Sequence, residues 1–268
     1  MKAEPVLLAL ETSGKSGSVA VLHEQGGSLV CDMELLSPEF GSAKTLAPAI
    51  ERLMSKNGIE MQSLCAIALL TGPGSFTGLR VGVATAKAMA YALRIPTIEI
   101  DTLDVIARQC LVARSSIVAV LDAYRGQVFC AEYSVRAVGP ATQFEKVSHT
   151  EIVDIEVLLD RLEKRAGGTQ TIDLCGPGCA RIRKFLAELE NGLPEIASAR
   201  SQRIQWIDGP FTVPNAESVA RLGYEKFLAG DVLDPFCIQP RYYRGSAAEE
   251  LAKANCTKQD RAANYFQV

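Results

Sequence analysis

Histidine is nearly missing from this 268-residue chain: the two present, His23 and His149, lie far apart and form no His-Glu-x-x-His or His-x-x-x-His pair. That argues against a zinc or iron peptidase, whose metal needs imidazoles at helical spacing, and no metal site is expected. Long apolar runs are missing too. The longest, Leu64 to Leu70, has seven residues, against the roughly 20 that a membrane-spanning helix requires. The first apolar run, Val6 to Leu10, stops at Glu11 with neither a basic leader nor a small-residue cleavage site, so no secretory signal is read and a cytoplasmic location is expected. Charge of one sign is also lacking. Lys and Arg number 28 against 31 Asp and Glu, for a formal net charge of −3 with no block of like charge, which argues against free-standing nucleic-acid binding through phosphates.

What is present describes a globular chain, 48% hydrophobic and 22% charged. At roughly 150 residues per domain the length suits one large or two small units. The eight cysteines sit mostly within apolar stretches, where thiols behave as small buried hydrophobes, and are read as reduced. Cys175 and Cys179 flank a Gly-Pro-Gly turn without a second Cys or His pair to complete four ligands, so they too are read as buried thiols.

Pro5 to Leu10, Ser18 to His23 and Ser28 to Leu36 read as three strands separated by turns. A helix follows, with Leu46, Ala49, Ile50, Leu53 and Met54 on one face and Asn57-Gly58 closing it. Then come strand Cys65 to Leu70, the loop Thr71 to Gly78, and a long helix to Arg94. The order restarts with a hairpin of Ile117 to Leu121 and Gln127 to Val135, a helix over Glu151 to Arg165, strand Thr171 to Cys175, and a helix from Cys179 to Glu190. Gly72-Pro73-Gly74 and Gly176-Pro177-Gly178 each follow a strand, 104 residues apart, and the hairpin acids Glu11 and Asp122 lie 111 apart. Repeated features at nearly one offset point to two copies of one α/β unit; chance reuse of a common turn is the alternative.

A Gly-rich turn opening a helix aims backbone N–H groups at an anion. The Walker pattern fails, because Leu79 stands where the lysine belongs, and Thr77 replaces the third glycine of the dinucleotide fingerprint. Either the loop cradles a phosphate or it is a tight turn with Ser75 or Thr77 as N-cap. Glu11 and Asp122, if they face each other across a cleft, can hold a hydrated Mg²⁺ on a nucleotide; a solvated turn acid is the commoner reading of each taken singly. A cleft so built would be lined by Glu11, Thr12, Ser13, Gly72, Gly74, Ser75, Asp122, Gly176 and Gly178.

The helix from Gly78 to Arg94 is apolar almost all round and must be covered almost all round. Leu79, Val83, Ala86 and Ala90 can pack on a sheet, while Gly82, Ala84, Ala88, Tyr91 and Ala92 leave small-residue surface for another helix. With the helix of Leu46 to Met54 it would offer two helices to a partner's two. Burial of both within this chain is the competing reading.

The stretch Thr71-Gly72-Pro73-Gly74-Ser75-Phe76-Thr77-Gly78-Leu79-Arg80-Val81-Gly82, continuing through Ala86-Lys87-Ala88, resembles the TsaB family, also called YeaZ and glycoprotease-like. Supporting matches are Leu8 to Ser13, Ile95-Pro96, Asp122 to Val128, and Pro240-Arg241-Tyr242-Tyr243-Arg244; together they span about Pro5 to Arg244. The resemblance implies duplicated ribonuclease-H-like domains of the actin-like ATPase superfamily, mixed sheets flanked by helices. Residues 1–115 would be the N-terminal domain, 116–244 the C-terminal domain and 245–268 an extension. It implies an accessory subunit with no catalysis, peptidase activity or cofactor of its own. Such a subunit would pair with its paralogue TsaD and the ATPase TsaE in forming N6-threonylcarbamoyladenosine at position 37 of tRNAs reading codons that begin with A, and would meet tRNA through the complex alone. Its partner face would lie on Ala43 to Asn57 and Gly78 to Arg94, at Leu46, Ile50, Leu53, Gly82, Ala84, Lys87, Ala88 and Tyr91. When the partner is absent, the same helices leave both a monomer and a homodimer open.

This chain departs from the family in three places: Gly41-Ser42-Ala43-Lys44 replaces a His-Ser-Glu stretch, Asp101-Thr102 stands where small or hydroxyl residues are usual, and residues follow Arg244. The alternative function is an ATP-dependent phosphotransferase or ATPase built on Glu11 and Asp122. The partner reading predicts that Ala88→Glu or Ile50→Asp weakens a complex.

Overall fold

The protein, seen as a computed structural model, is described over residues 5–39, 41–110, 116–138, 141–165, 172–202, 204–209 and 212–244. Strands β1 (Val6–Glu11), β2 (Ser18–Gln25) and β3 (Ser28–Leu35) are followed by α1 (Ser42–Lys56), β4 (Leu64–Gly72), α2 (Phe76–Leu93), β5 (Thr97–Asp101) and α3 (Thr102–Gln109). The order then returns as β6 (Ser116–Asp122), β7 (Gln127–Val138), β8 (Ala141–Lys146), a short β9 (Glu151–Asp154), α4 (Ile155–Arg165), β10 (Ile172–Cys175), α5 (Cys179–Glu190), α6 (Pro194–Gln202), β11 (Ile204–Ile207) and α7 (Ala216–Leu228). Two sheets result, β3-β2-β1-β4-β5 and β11-β10-β6-β7-β8, with β9 paired to β7. In each, the half's first strand runs antiparallel to its second and parallel to the strand after the first long helix. The strand order of the two halves is the same, so the fold is a duplicated mixed α/β unit flanked by helices.

Alternation along the strands sets the layers. Leu8, Leu10, Val21, Ile67 and Leu69 face α1 and α2. Their neighbours Leu7, Ala9, Ala20, Leu22 and Ile98 face the other way, onto Val105 of α3 and Val219 and Ala220 of α7. On the second sheet Val118, Val120 and Leu174 pack with α4 and α5, and Ile117, Ala119, Ala131 and Tyr133 pack on Leu103 and Ile106 of α3. The two helices between the sheets thus join the halves: α3 comes from the first half and lies between the sheets, with Val105 on the first and Leu103 and Ile106 on the second, while α7 comes from the second half and lies on the first.

The two sheets divide between β5 and β6, but the units share helices: Ala216, Val219 and Ala220 of α7 are fully buried against the first sheet. The helix expected over Glu151 to Arg165 begins only at Ile155; Glu151–Asp154 pairs with Gln127 to Cys130 as a strand, where its β-branched Ile152 and Val153 suit the pleat. Cys237 is exposed, unlike the buried Cys110, Cys130, Cys175 and Cys179, and the seven described cysteines are free thiols. Cys256 and the extension 245–268 lie outside the described residues.

The partner-face residues Leu46, Ile50 and Leu53 are each 1% exposed and belong to the core beneath α1. Their i, i+4, i+7 spacing is the core stripe of an amphipathic helix, and Ile50→Asp would therefore cost the fold itself.

Candidate interaction face and a closed cleft

The Gly-rich turn after β4 approaches the first hairpin closely. Gly74, Gly78 and Gly82 recur at i, i+4 and i+8, so they form one stripe at the start of α2. A Cβ on Gly74 would lie 2.6 Å from the Ser13 Cβ, one on Gly78 1.9 Å from the Thr12 carbonyl oxygen, and one on Gly82 2.4 Å from the Thr12 hydroxyl. The stripe thus presses α2 onto the first hairpin. Gly82, expected on the partner face, is buried by that contact. Ser75 accepts a 3.3 Å hydrogen bond from the Gly78 N–H as N-cap, and its own N–H donates to the Ser13 carbonyl at 2.7 Å. The second turn repeats the arrangement: the Gly178 N–H donates to Val120 O at 3.1 Å, and a Cβ on Gly176 would lie 2.2 Å from that oxygen.

Of the cleft residues, Glu11, Thr12, Ser13, Gly74 and Ser75 therefore meet, with Gly72 at the end of the adjoining strand; Asp122, Gly176 and Gly178 gather separately at the end of β6. Gly72 is covered by the chain's own C-terminal segment: the Arg241 N–H donates to Thr71 O at 2.7 Å, and a Cβ on Gly72 would stand 2.9 Å from the Arg241 carbonyl. Glu11 turns inward and is fully buried. Its Oε1 accepts from the Ser13 N–H (2.7 Å), the Ser13 hydroxyl (2.7 Å) and the Gly14 N–H (3.3 Å). Burial pushes its carboxyl up to about 7, against the downward pull of those bonds. Asp122 accepts from the Tyr124 N–H at 2.7 Å within its own turn. Among the described residues no group of three His, Cys, Asp or Glu side chains is placed to hold a metal ion.

The outward side of α2 is different. Ala84, Ala88 and Tyr91 are exposed there, with Lys87 half-buried. Lys87 Nζ donates to Phe236 O at 3.2 Å, and the Tyr91 and Phe236 rings meet edge to face at 5.3 Å while remaining 65% and 67% exposed. At the other end of the helix Arg80 lies 3.9 Å over the Phe76 ring, which packs on Tyr242 at 4.7 Å. A cavity of about 680 Å³ opens between the end of α2 and residues 232–236. The aromatic part of this face, supplied by Phe236 and Tyr242, was not read from the sequence, because nothing local to those residues says that they fold back on α2; the glycine stripe was readable from its four-residue spacing.

The family model described as TsaD, tRNA N6-adenosine threonylcarbamoyltransferase, matches residues 41–188. The chain is similar to the tRNA threonylcarbamoyladenosine biosynthesis protein TsaB of Escherichia coli, 24% identical over 246 residues that cover 90% of this chain and 96% of that protein. It is similar to the TsaB of Haemophilus influenzae at 24% identity, covering 89% and 93%. A Pseudomonas aeruginosa protein described as similar to the peptidase YeaZ shares the fold, with a TM-score of 0.68 at 22% identity over 90% of this chain and all of that one. Among the described residues no helix is long and apolar enough to cross a membrane.

Proposed function

From the premise that this chain belongs to the TsaD family, with TsaB proteins as near-full-length relatives, and serves tRNA threonylcarbamoyladenosine biosynthesis, we propose that it does so as a non-catalytic partner subunit. It binds the TsaD paralogue, which holds the catalytic metal, and works with the ATPase TsaE in the cytoplasm. The complex places threonylcarbamoyl on N6 of adenosine 37 in tRNAs that read codons beginning with A, and this subunit meets tRNA only within the complex. One observation carries the reading: the side of α2 bearing Ala84, Ala88 and Tyr91 stays open while the rest of the helix is packed. Small side chains there admit a facing helix closely, and Tyr91 with Phe236 supplies apolar area at its edge. The same face serves a homodimer when the partner is absent.

The test is the mass of the complex by size exclusion with light scattering, for this chain mixed with the TsaD paralogue of its own organism. A species at the summed mass is expected. Ala88→Glu should weaken association about tenfold or more, because it buries an unpaired charge in the interface, while leaving the melting temperature of the isolated chain nearly unchanged. No complex, with or without TsaE, would overturn the partner reading. The phosphotransferase alternative predicts ATP and Mg²⁺ binding by titration calorimetry; the inward Glu11 and the bonded turn amides support the partner role over it.

A further inference from the structure

Pro240-Arg241-Tyr242-Tyr243-Arg244 has no part in the partner face beyond Tyr242, yet its side chains are committed to both halves of the molecule. Arg241 pairs with Glu99 of β5, and its N–H is bonded to Thr71 at the end of β4. Tyr242 packs at a tilt against Phe76 and accepts a 2.8 Å hydrogen bond from the Arg80 guanidinium, both partners lying in the first half. Tyr243 reaches the second half, its ring 5.7 Å from that of Phe129 in β7, and its hydroxyl donates to Asp101 Oδ2 at 3.4 Å. Arg244 donates to Ala123 O at 2.8 Å and also to the side chain of Gln127. It thereby grips the β6–β7 turn, in which Tyr124 and Arg125 both take left-handed φ, as a tight hairpin demands.

The segment seats on a second tie between the halves. Lys146, at the end of β8, donates to Asp101 Oδ2 (3.1 Å), Asp104 Oδ1 (2.7 Å) and Thr150 Oγ1 (3.0 Å). Asp101 spends its other oxygen as N-cap of α3, accepting from the Leu103 N–H at 2.8 Å, and Tyr133 donates to Asp104 at 2.7 Å. Burial alone would lower the Lys146 ammonium, but the two carboxylates outweigh it and hold it above its ordinary value. The cavity at this junction, about 460 Å³, is lined by Asp101, Lys146, Arg241 and Tyr243 among others. Its central charges are spent on one another, which argues for a tie rather than a ligand site.

We propose that residues 240–244, seated on the Asp101–Lys146 cluster, are a clasp that holds the two halves in one orientation. Helices α3 and α7 already join the halves through the cores between the sheets, and the clasp adds aromatic and polar ties at one edge of that junction, where residual turning would open it. Arg241 and Tyr242 hold the segment to the first half, Tyr243 touches both halves and Arg244 the second; the first-half hold has two anchors, so loss of Tyr242 alone leaves Arg241 in place. That asymmetry supplies the control.

The experiment measures the distance between spin labels, attached through unnatural amino acids, at Glu51 on α1 and Lys184 on α5, both exposed on opposite outer layers. The full chain should give one narrow distribution. Tyr243→Ala with Arg244→Ala should broaden it at least about twofold or add a second distance, because the ties at this edge of the junction are then lost while the cores around α3 and α7 remain. Tyr243→Phe, which keeps the ring contact, should broaden it less. Tyr242→Ala should leave it unchanged. An unchanged distribution in the double variant would overturn the clasp, and so would equal broadening by Tyr242→Ala, which would mark general loosening. If the double variant does not fold, Lys146→Met, whose side chain is 27% exposed, takes its place with the same two readings.

Discussion

At the scale of single residues, the most informative group is the buried carboxyl of Glu11. Glu11 was legible as an acid ending the first strand; that it turns into the protein was not, because direction depends on the three hydrogen bonds from Ser13 and Gly14. Burial raises its pKa from 4.5 to about 7, so the folded state holds a proton that the unfolded state has released anywhere between those values. Stability is therefore full below about pH 4.5, falls as pH rises toward 7, and stays reduced above it. The shift corresponds to roughly 3 kcal/mol at 1.36 kcal/mol per pKa unit. Denaturant melts from pH 5 to 8 should show that decline, and Glu11→Gln should flatten it. A decline as steep in the variant as in the native chain would assign it to other groups. Asp101 teaches the converse. In the sequence it is a departure without a reason, and in the structure it caps α3 and receives Lys146 and Thr150 from the other half.

Helices and strands were legible where their periodicity was local. The stripe Leu46, Ala49, Ile50, Leu53, Met54 marked α1, and the pair of strand-Gly-Pro-Gly junctions marked β4–α2 and β10–α5. What periodicity cannot say is which neighbour a stripe faces, and so three interface residues on α1 proved to be core. Helices α3 and α7 went unread because α3 starts directly at the end of β5 with no intervening turn, and α7 follows a stretch with no repeat of the pattern. The Gly-rich loop is the opposite case: its residues were evident and their purpose was not. If Gly78 serves contact with Thr12 rather than a ligand, then Gly78→Ala, which forces a Cβ to 1.9 Å from a backbone oxygen, must separate α2 from the first hairpin. A loss of about 2–3 kcal/mol or more is expected in denaturant melts, in the range of overpacked cores. Thr77→Ala, on the exposed side of the same turn, should change stability by less than about 0.5 kcal/mol. Equal effects would return the loop to a surface role.

For the whole molecule, duplication was legible from two offsets, but the way the copies complete each other was not. The inner faces of the sheets need helices, and the chain supplies α3, which packs on both sheets, before the second sheet exists, and α7 to the first sheet only near the end. Long-range pairing of this kind leaves no mark in a local window. It has a consequence for truncation: a fragment of residues 5–110 contains every strand of the first sheet, yet it leaves Leu7, Ala9, Ala20, Leu22, Ala68 and Leu70, each 1% exposed or less in the full chain, without α7. An uncovered apolar sheet face of that extent invites association. The fragment is expected to bind a hydrophobic dye and to lack a cooperative thermal transition, and a co-expressed segment of residues 212–244 should restore both solubility and cooperativity, because α7 then returns to β1, β2 and β4. A fragment that melts cooperatively alone would show that the first half closes its own core, and the sharing of helices would then be an ornament of the fold and not a condition of it.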